Sequence, residues 1–225
     1  MSLSGRVAVP QGDLNTMSYA ILGILATKDW SAYEIAEQVG RGISEIVPRA
    51  DRQRYNAPKK LVERGLVTAR TEPRGPQRSR TVYSITAEGR AALAQWMSTE
   101  SRAPFMEFEG LLRVCIADEG TIDDLRNNLR TMRTQAEMKR QIFVGNAQLM
   151  IVPGAASYPS RQHLLAFAAN FMVGHFTHMI SWADWMLEEI ETWPDTTSPA
   201  STHAARATEV LAEIIRDYSP DKAGE

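Results

Sequence analysis

The chain has almost no cysteine: Cys115 is the only one among 225 residues. An intrachain disulfide framework and a cysteine-based zinc site are therefore excluded. It has no uninterrupted apolar run near the ~18–20 residues that a membrane span needs. Its opening stretch, MSLSGRVAVPQGDLNT, has no apolar core of the signal-peptide kind. A soluble, cytoplasmic protein without a membrane partner is the expectation. There is no large excess of charge of one sign, since 25 Lys and Arg face 27 Asp and Glu for a net of −2. Taken alone, that total argues against a nucleic-acid binder. HExxH, GxSxG, a P-loop and a strand-anchored GxGxxG are all missing, as are internal repeats and low-complexity tracts. Enzyme function therefore has no positive support, and no cofactor or metal is expected. His175 and His178 lie three apart on one helical stretch with Asp184 beyond them, which falls short of a complete ligand set. What is present is a 44% hydrophobic content with mixed charge, enough for real cores and too apolar for a disordered chain.

The near-neutral total hides an asymmetry. Residues 1–100 carry 14 basic and 10 acidic side chains, whereas 101–225 carry 11 and 17. Within 41–90 the balance is 12 to 5. A basic segment joined to an acidic body divides the chain into a flexible arm over 1–15, a first domain over 16–100 and a second over 101–225.

The first domain reads as three helices, a hairpin and a fourth helix. Met17, Ala20, Ile21, Ile24 and Leu25 recur at helical spacing, with Thr16 as N-cap. Ser31 and Glu34 have the spacing of a capping box for a second helix that buries Ile35, Ala36, Val39 and Ile43. A third helix covers roughly 51–64, with Gly65 as its stop. Pro58 inside this stretch implies either a kink or a regular helix that begins near Asn56. Leu66–Glu72 and Ser79–Thr86 have strand texture around the turn Pro73-Arg74-Gly75-Pro76. Thr86 then caps a helix carrying Leu93, Trp96 and Met97. This order is that of a winged helix-turn-helix.

The second domain reads as long helices. Phe108, Leu111, Leu112 and Cys115 form one stripe, with Cys115 expected to be buried and inert. Thr121 and Asp124 open a helix whose Ile122, Leu125, Leu129, Met132 and Ala136 follow a coiled-coil seam, broken at Lys139 and resumed at Phe143. Ser160 is the expected cap of a second long helix reaching about Trp193. Its apolar residues cover so wide an arc that a partner chain is needed to bury them. A last helix spans about 204–218.

The basic cluster carries the functional expectation. Arg49, Arg52, Arg54, Lys59 and Lys60 lie on or beside the third helix, and Arg74, Arg78 and Arg80 lie in the hairpin turn and its exits. Such side chains neutralise phosphates, and arginine forms paired bonds to guanine edges. Gln53 and Asn56 suit adenine, and Tyr55 suits a sugar or base. The second helix of a helix-turn-helix enters the major groove. The partner expected is double-stranded DNA.

At these residues the chain resembles the PadR-like family of winged-helix transcriptional regulators. MSYAILGILA, SAYEIAEQV at 31–39, RYNAPKKLVERGLV at 54–67 and RTVYSITAEGRAAL at 80–93 resemble its successive elements. Arg54 and Asn56 stand where the family usually has Leu and Pro, and Ala32 replaces a usual Gly. The C-terminal part resembles, in texture, the acidic helical dimerisation domain of one branch. The resemblance implies a mainly α fold and a homodimeric repressor of a pseudo-palindromic operator. It also implies a small hydrophobic or aromatic effector stacked on a ring such as Trp96; from the residues themselves, Phe171, Phe176 and Trp182 are further candidates for the lining of an apolar pocket between the long helices. Each of these aromatics also reads as plain core. The alternative reading of the whole is a dimeric helical interaction protein whose winged helix binds protein.

Overall fold

The computed structural model describes residues 14–47, 56–73 and 78–219. They form two compact units. One gathers the described residues up to Pro104 together with Asn146–His163, and the other gathers Phe105–Gly145 with the residues from Leu164 onward.

The first unit opens with α1 (Thr16–Leu25), which buries Met17, Ile21, Leu22, Ile24 and Leu25. Its cap is Asn15 rather than Thr16: Asn15 Oδ1 accepts from the Ser18 amide at 2.9 Å. Thr16 is already the first helical residue, so the free amides lie within reach of the side chain before it. The short strand β1 (Trp30–Ser31) leads into α2 (Ala32–Gln38). The Ser31/Glu34 capping box is complete, with the Ser31 amide donating to Glu34 Oε2 at 2.8 Å and the Glu34 amide to Ser31 Oγ at 3.3 Å. A wide helical turn over Val39–Ile43 and a further turn over Ser44–Ile46 prolong α2.

Next comes α3 (Ala57–Glu63), with Asn56 at its N-cap position and Pro58 in its first turn. The helix is regular from there. A first-turn proline loses no hydrogen bond, because its missing N–H would have had no intrahelical acceptor. Strands β2 (Val67–Pro73) and β3 (Ser79–Ile85) pair antiparallel from Val67 opposite Ile85 to Pro73 opposite Ser79. β1 adds to the other edge of β3, with Trp30 opposite Tyr83, giving the order β1-β3-β2. This two-residue strand is too short to show an alternation, so only the third dimension reveals it. α4 (Ala87–Met97) is capped by Thr86, whose hydroxyl accepts from the Gly89 amide at 3.0 Å. Gly89 is where α4 meets the strand entry, since a Cβ there would stand 2.1 Å from the Leu66 carbonyl oxygen.

One core joins α1, α2, α3 and the sheet through Ile21, Leu22, Ile35, Leu61, Val67 and Tyr83. Burying each large aliphatic side chain contributes about 1.5–3 kcal/mol. The segment 146–163 belongs to this unit through four contacts. Asn146 Nδ2 donates to the Arg41 carbonyl at 2.7 Å, and Arg41 Nη1 donates to Ser157 Oγ at 3.1 Å. Arg161 Nη1 donates to the Gly23 carbonyl at 2.6 Å, and the Tyr158 ring packs 5.7 Å from that of Trp30. The Tyr158 hydroxyl is buried with no partner among the described residues, and burial pushes its pKa upward.

The second unit is helical. It contains α5 (Glu109–Cys115), most of α6 (Ile122–Ile151) and α7 (Gln162–Glu189), the short α8 (Pro199–Thr202) and α9 (Ala204–Tyr218). The Thr121/Asp124 box opens α6, with the Thr121 amide donating to Asp124 Oδ2 at 3.0 Å and the Asp124 amide to Thr121 Oγ1 at 3.1 Å. The expected seam is buried at Leu125, Leu129, Met132, Ala136 and Phe143. It packs in two clusters, one with Met172, Phe176 and Ile180 and one with Ile190. Arg126 closes the C-terminal end of α7 through Nη2, donating to the carbonyls of Ile190, Glu191 and Trp193 at 3.4, 3.1 and 3.3 Å. Glu189 holds Arg206 of α9 through both carboxylate oxygens, the shortest contact being 2.6 Å.

Two expectations are corrected here. Ser160 does not cap α7; it lies inside a 3-10 turn, Pro159–Arg161, whose proline starts helical geometry early and runs into the helix. Cys115 is exposed, as are Leu112 and Ile116, because this short helix turns Leu111 and Val114 inward instead. Leu164, Phe167 and Phe171 of α7 are also exposed, as are Leu211, Ile214, Ile215 and Tyr218 of α9. By length and composition 159–189 would pass for a membrane span, and 17% of its apolar window is buried within the chain.

Candidate nucleic-acid interface

α3 has two unlike faces. Ala57, Pro58 and Leu61 point into the core, and this places Asn56, Lys59, Lys60 and Glu63 outward at helical spacing. Among the described residues, neither Lys59 nor Lys60 meets a carboxylate. The helix ends in a full Schellman motif. Gly65 takes φ +70°, its amide donates to the Val62 carbonyl at 2.9 Å, and the Leu66 amide donates to the Leu61 carbonyl at 3.0 Å. Thr86 Oγ1 donates to the Gly65 carbonyl at 2.9 Å. These bonds fix the angle at which β2 leaves α3, and so place the hairpin relative to the exposed lysines.

The hairpin carries its charge in an ordered way. Arg70, Glu72, Arg80 and Ser84 share one face of the two strands, with Glu72 directly opposite Arg80. Glu72 Oε1 accepts from Arg70 Nε at 3.0 Å, and Glu72 Oε2 accepts from Arg80 Nη2 at 3.0 Å. Arg70 Nη1 also donates to Asp29 Oδ2 at 2.7 Å and to Ser84 Oγ at 2.8 Å. The two arginines, Arg80 foremost, hold the Glu72 carboxyl below its usual range. A hydrogen bond with Ser84, then the Arg70 guanidinium, does the same for Asp29. Arg78 is exposed at the strand entry.

Of the residues expected at a DNA surface, Asn56, Lys59, Lys60, Arg78 and Arg80 are exposed on this unit. Arg49, Arg52, Gln53, Arg54, Tyr55 and Arg74 lie outside the described residues. Sequence reasoning passed over Arg70, Glu72 and Asp29. Alternation along β2 puts Arg70 and Glu72 on one face, but their partners depend on the hairpin register. It also passed over Tyr33, 73% exposed in the first turn of α2.

The four aromatics proposed for an effector pocket occupy separate places. Trp96 stacks on Tyr19 in the first unit, with ring centroids 4.6 Å apart and planes 7° from parallel. In the second unit Phe176 is buried in the cluster with Phe143, Trp182 packs at the edge of the Leu129 cluster, and Phe171 is exposed. A groove of about 650 Å³ between α5, the following turn and α6 has a mixed lining, with Arg113, Asn127 and Gln135 beside Ile116, Leu125 and Met132.

Residues 21–95 match the model of the "Transcriptional regulator PadR-like family". The Bacillus subtilis (strain 168) protein described as "Negative transcriptional regulator PadR" is 28% identical over 91 residues, covering 40% of this chain and 50% of that protein. The sequence match thus spans half the length of that relative. The structure of Bacillus subtilis PadR with operator DNA is similar at a TM-score of 0.64 and 21% identity, covering 78% of this chain and 99% of that one. The structure of the same protein with p-coumaric acid gives 0.59 and 21%, covering 79% and 99%. These likenesses establish a mainly helical winged-helix fold with long C-terminal helices. The family is one of transcriptional regulators, not enzymes. Over residues 21–95, a third of its length, the chain is similar to the PadR-like family.

Proposed function

We propose that the chain is a homodimeric, sequence-specific DNA-binding repressor. The observation that carries this is the outward face of α3, where Asn56, Lys59 and Lys60 stand on the second helix of a helix-turn-helix beside a hairpin bearing Arg78. Lysines there neutralise phosphates and seat the helix, and Asn56 reaches base edges from the N-terminal end. Arg49, Arg52, Gln53, Arg54 and Tyr55, which precede α3 in sequence, and Arg74, which falls in sequence between β2 and β3, complete the proposed set of DNA contacts. The relative's description as a negative regulator supports repression, and its operator complex supports DNA as the partner. Its complex with p-coumaric acid supports a small aromatic effector as the release signal.

The exposed apolar residues of α7 and α9 support the dimer. Phe167 and Phe171 are 75% and 71% exposed, more than a water-facing helix tolerates without a cover. Two-fold symmetry then implies a pseudo-palindromic operator with half-sites about 34–36 Å apart or a multiple of that. The net-negative C-terminal part repels the duplex and leaves the basic heads as the contact surface. A cytoplasmic location follows from the partner.

The test is fluorescence anisotropy against duplexes selected from a random pool, with sedimentation to give the mass. Affinity should fall linearly on a log–log salt plot, and Lys59→Ala should reduce the slope by about 0.9. The mass should be twice the 25.1 kDa of the chain. No binding at about 50 mM salt, where phosphate contacts are strongest, refutes the reading.

A further inference from the structure

Asp29, in the turn before β1, and Arg70, Glu72 and Arg80 on the wing form one connected set of four charges whose formal sum is zero. Glu72 is the centre of it. Each of its oxygens serves a different arginine, Oε1 for Arg70 and Oε2 for Arg80, which bonds it through both Nε at 3.2 Å and Nη2 at 3.0 Å. The two arginines differ in what else they hold. Arg70 keeps a second carboxylate, Asp29, at 2.7 Å. For Arg80, Glu72 is the only carboxylate in ion-pair contact among the described residues. Glu34 lies within electrostatic reach of Arg80, but its carboxylate is closed on the Ser31 amide and hydroxyl in the capping box.

We propose that Glu72 is a specificity-setting residue that withholds Arg80 from DNA phosphate. The inference rests on the DNA-binding reading given above. Phosphate contacts raise affinity for every duplex alike, whereas base contacts discriminate. A carboxylate already seated on the wing arginine competes with the phosphate backbone for the same guanidinium. It lowers sequence-independent affinity and leaves discrimination to the face of α3. The side chains are part-exposed, 43% for Arg80 and 30% for Glu72, so a duplex approaching the wing meets the pair directly. The arrangement predicts a defined count: removing the Glu72 charge releases one cation, Arg80, because Arg70 remains on Asp29.

The experiment compares wild type, Glu72→Gln, Arg80→Ala and the double variant, with anisotropy on a random-sequence duplex and on a selected one across a salt series. Glu72→Gln keeps the shape of the side chain and is checked by circular dichroism and melting. Its salt slope on random duplex should steepen by about 0.9. Between 200 and 50 mM salt this amounts to roughly a 3.5-fold additional gain in affinity, the fourfold dilution raised to that power. The ratio of selected to random affinity should fall. Arg80→Ala alone should leave the wild-type slope unchanged, and the double variant should return to it. A Glu72→Gln slope equal to that of wild type overturns the inference alone. So does a loss of about 0.9 in slope for Arg80→Ala, since the arginine would then already hold a phosphate. Absence of salt-dependent binding by all four proteins overturns the DNA-binding reading, and this inference with it.

Discussion

Gly89→Ala tests the packing that holds the wing to its helix. The added Cβ would stand 2.1 Å from the Leu66 carbonyl oxygen and 2.9 Å from Ile85 Cγ1. Neither neighbour gives way easily. The Leu66 carbonyl accepts from the Thr86 amide at 3.1 Å, and Thr86 caps the helix that carries Gly89. Relief therefore means moving the first turn of α4 by roughly 1 Å away from the strand entry, since ordinary carbon–oxygen contacts lie near 3.3–3.6 Å. Overpacking of this kind costs typically about 1–3 kcal/mol, and the backbone partner puts the change at the upper end. In a unit of about 100 residues each kcal/mol shifts Tm by roughly 4–8 °C, so a fall of at least about 10 °C is expected by calorimetry on the full chain. Gly23→Ala is the control. Gly23 is a helix-interior glycine with nothing within 4 Å of the position its Cβ would take. Alanine there should stabilise by about 0.5–1 kcal/mol. A Gly89→Ala melt within about 2 °C of wild type, far below the shift expected for a core clash, would refute the reasoning.

Three further outcomes follow from the same contacts. Arg126→Ala leaves the carbonyls of Ile190, Glu191 and Trp193, in the turn just past α7, without this donor and should cost about 1–3 kcal/mol, read as faster amide exchange near Ile190; unchanged exchange would count against the capping role. Tyr158→Phe removes a buried hydroxyl that has no partner among the described residues, so Tm should hold or rise, whereas Tyr158→Ala should lower it by exposing Trp30; a clear loss with Phe would mean the hydroxyl is bonded. The Glu189 carboxyl is held below its usual range, chiefly by the hydrogen bond from Arg206. A depressed folded pKa adds stability above the unfolded value of about 4.3, and that stability is lost as pH falls through the folded one. The melts of wild type and Glu189→Gln should therefore differ at pH 7, by less than about 1 kcal/mol for so exposed a pair, and converge in acid; a pH-independent gap would disprove the linkage.

Local chemistry was the most legible part of the sequence. Ser31 with Glu34, Thr121 with Asp124, and Thr86 ahead of Gly89 each announce a helix start, because both partners lie within one turn of chain. Gly65 announces a stop because the left-handed turn it makes is taken by glycine far more readily than by residues with a Cβ. The outward lysines of α3 follow from spacing alone once Leu61 is assigned to the core. The misses share a different cause. Thr16 and Asn15 are both good caps, and only the start of the helix chooses between them. Cys115 sits in an apolar stretch, yet a short helix shows only one side to its neighbour. The Glu72 set needs the hairpin register, and the contacts of 146–163 need the tertiary fold. No neighbouring residue signals either.

The return of 146–163 to the first unit has a consequence for how the protein is made. Arg41, Gly23 and Trp30 emerge from the ribosome early, but Asn146, Ser157, Tyr158 and Arg161 follow more than 100 residues later. At synthesis rates of about 5–20 residues per second, the first unit waits about 5–30 s for its last contacts. A fragment ending near Pro104 would contain every helix and strand of the winged helix and still present the Trp30 ring uncovered by Tyr158. The first unit is thus finished by a segment about two thirds of the way along the chain, and its completion is tied to the synthesis of the long helices on either side of that segment.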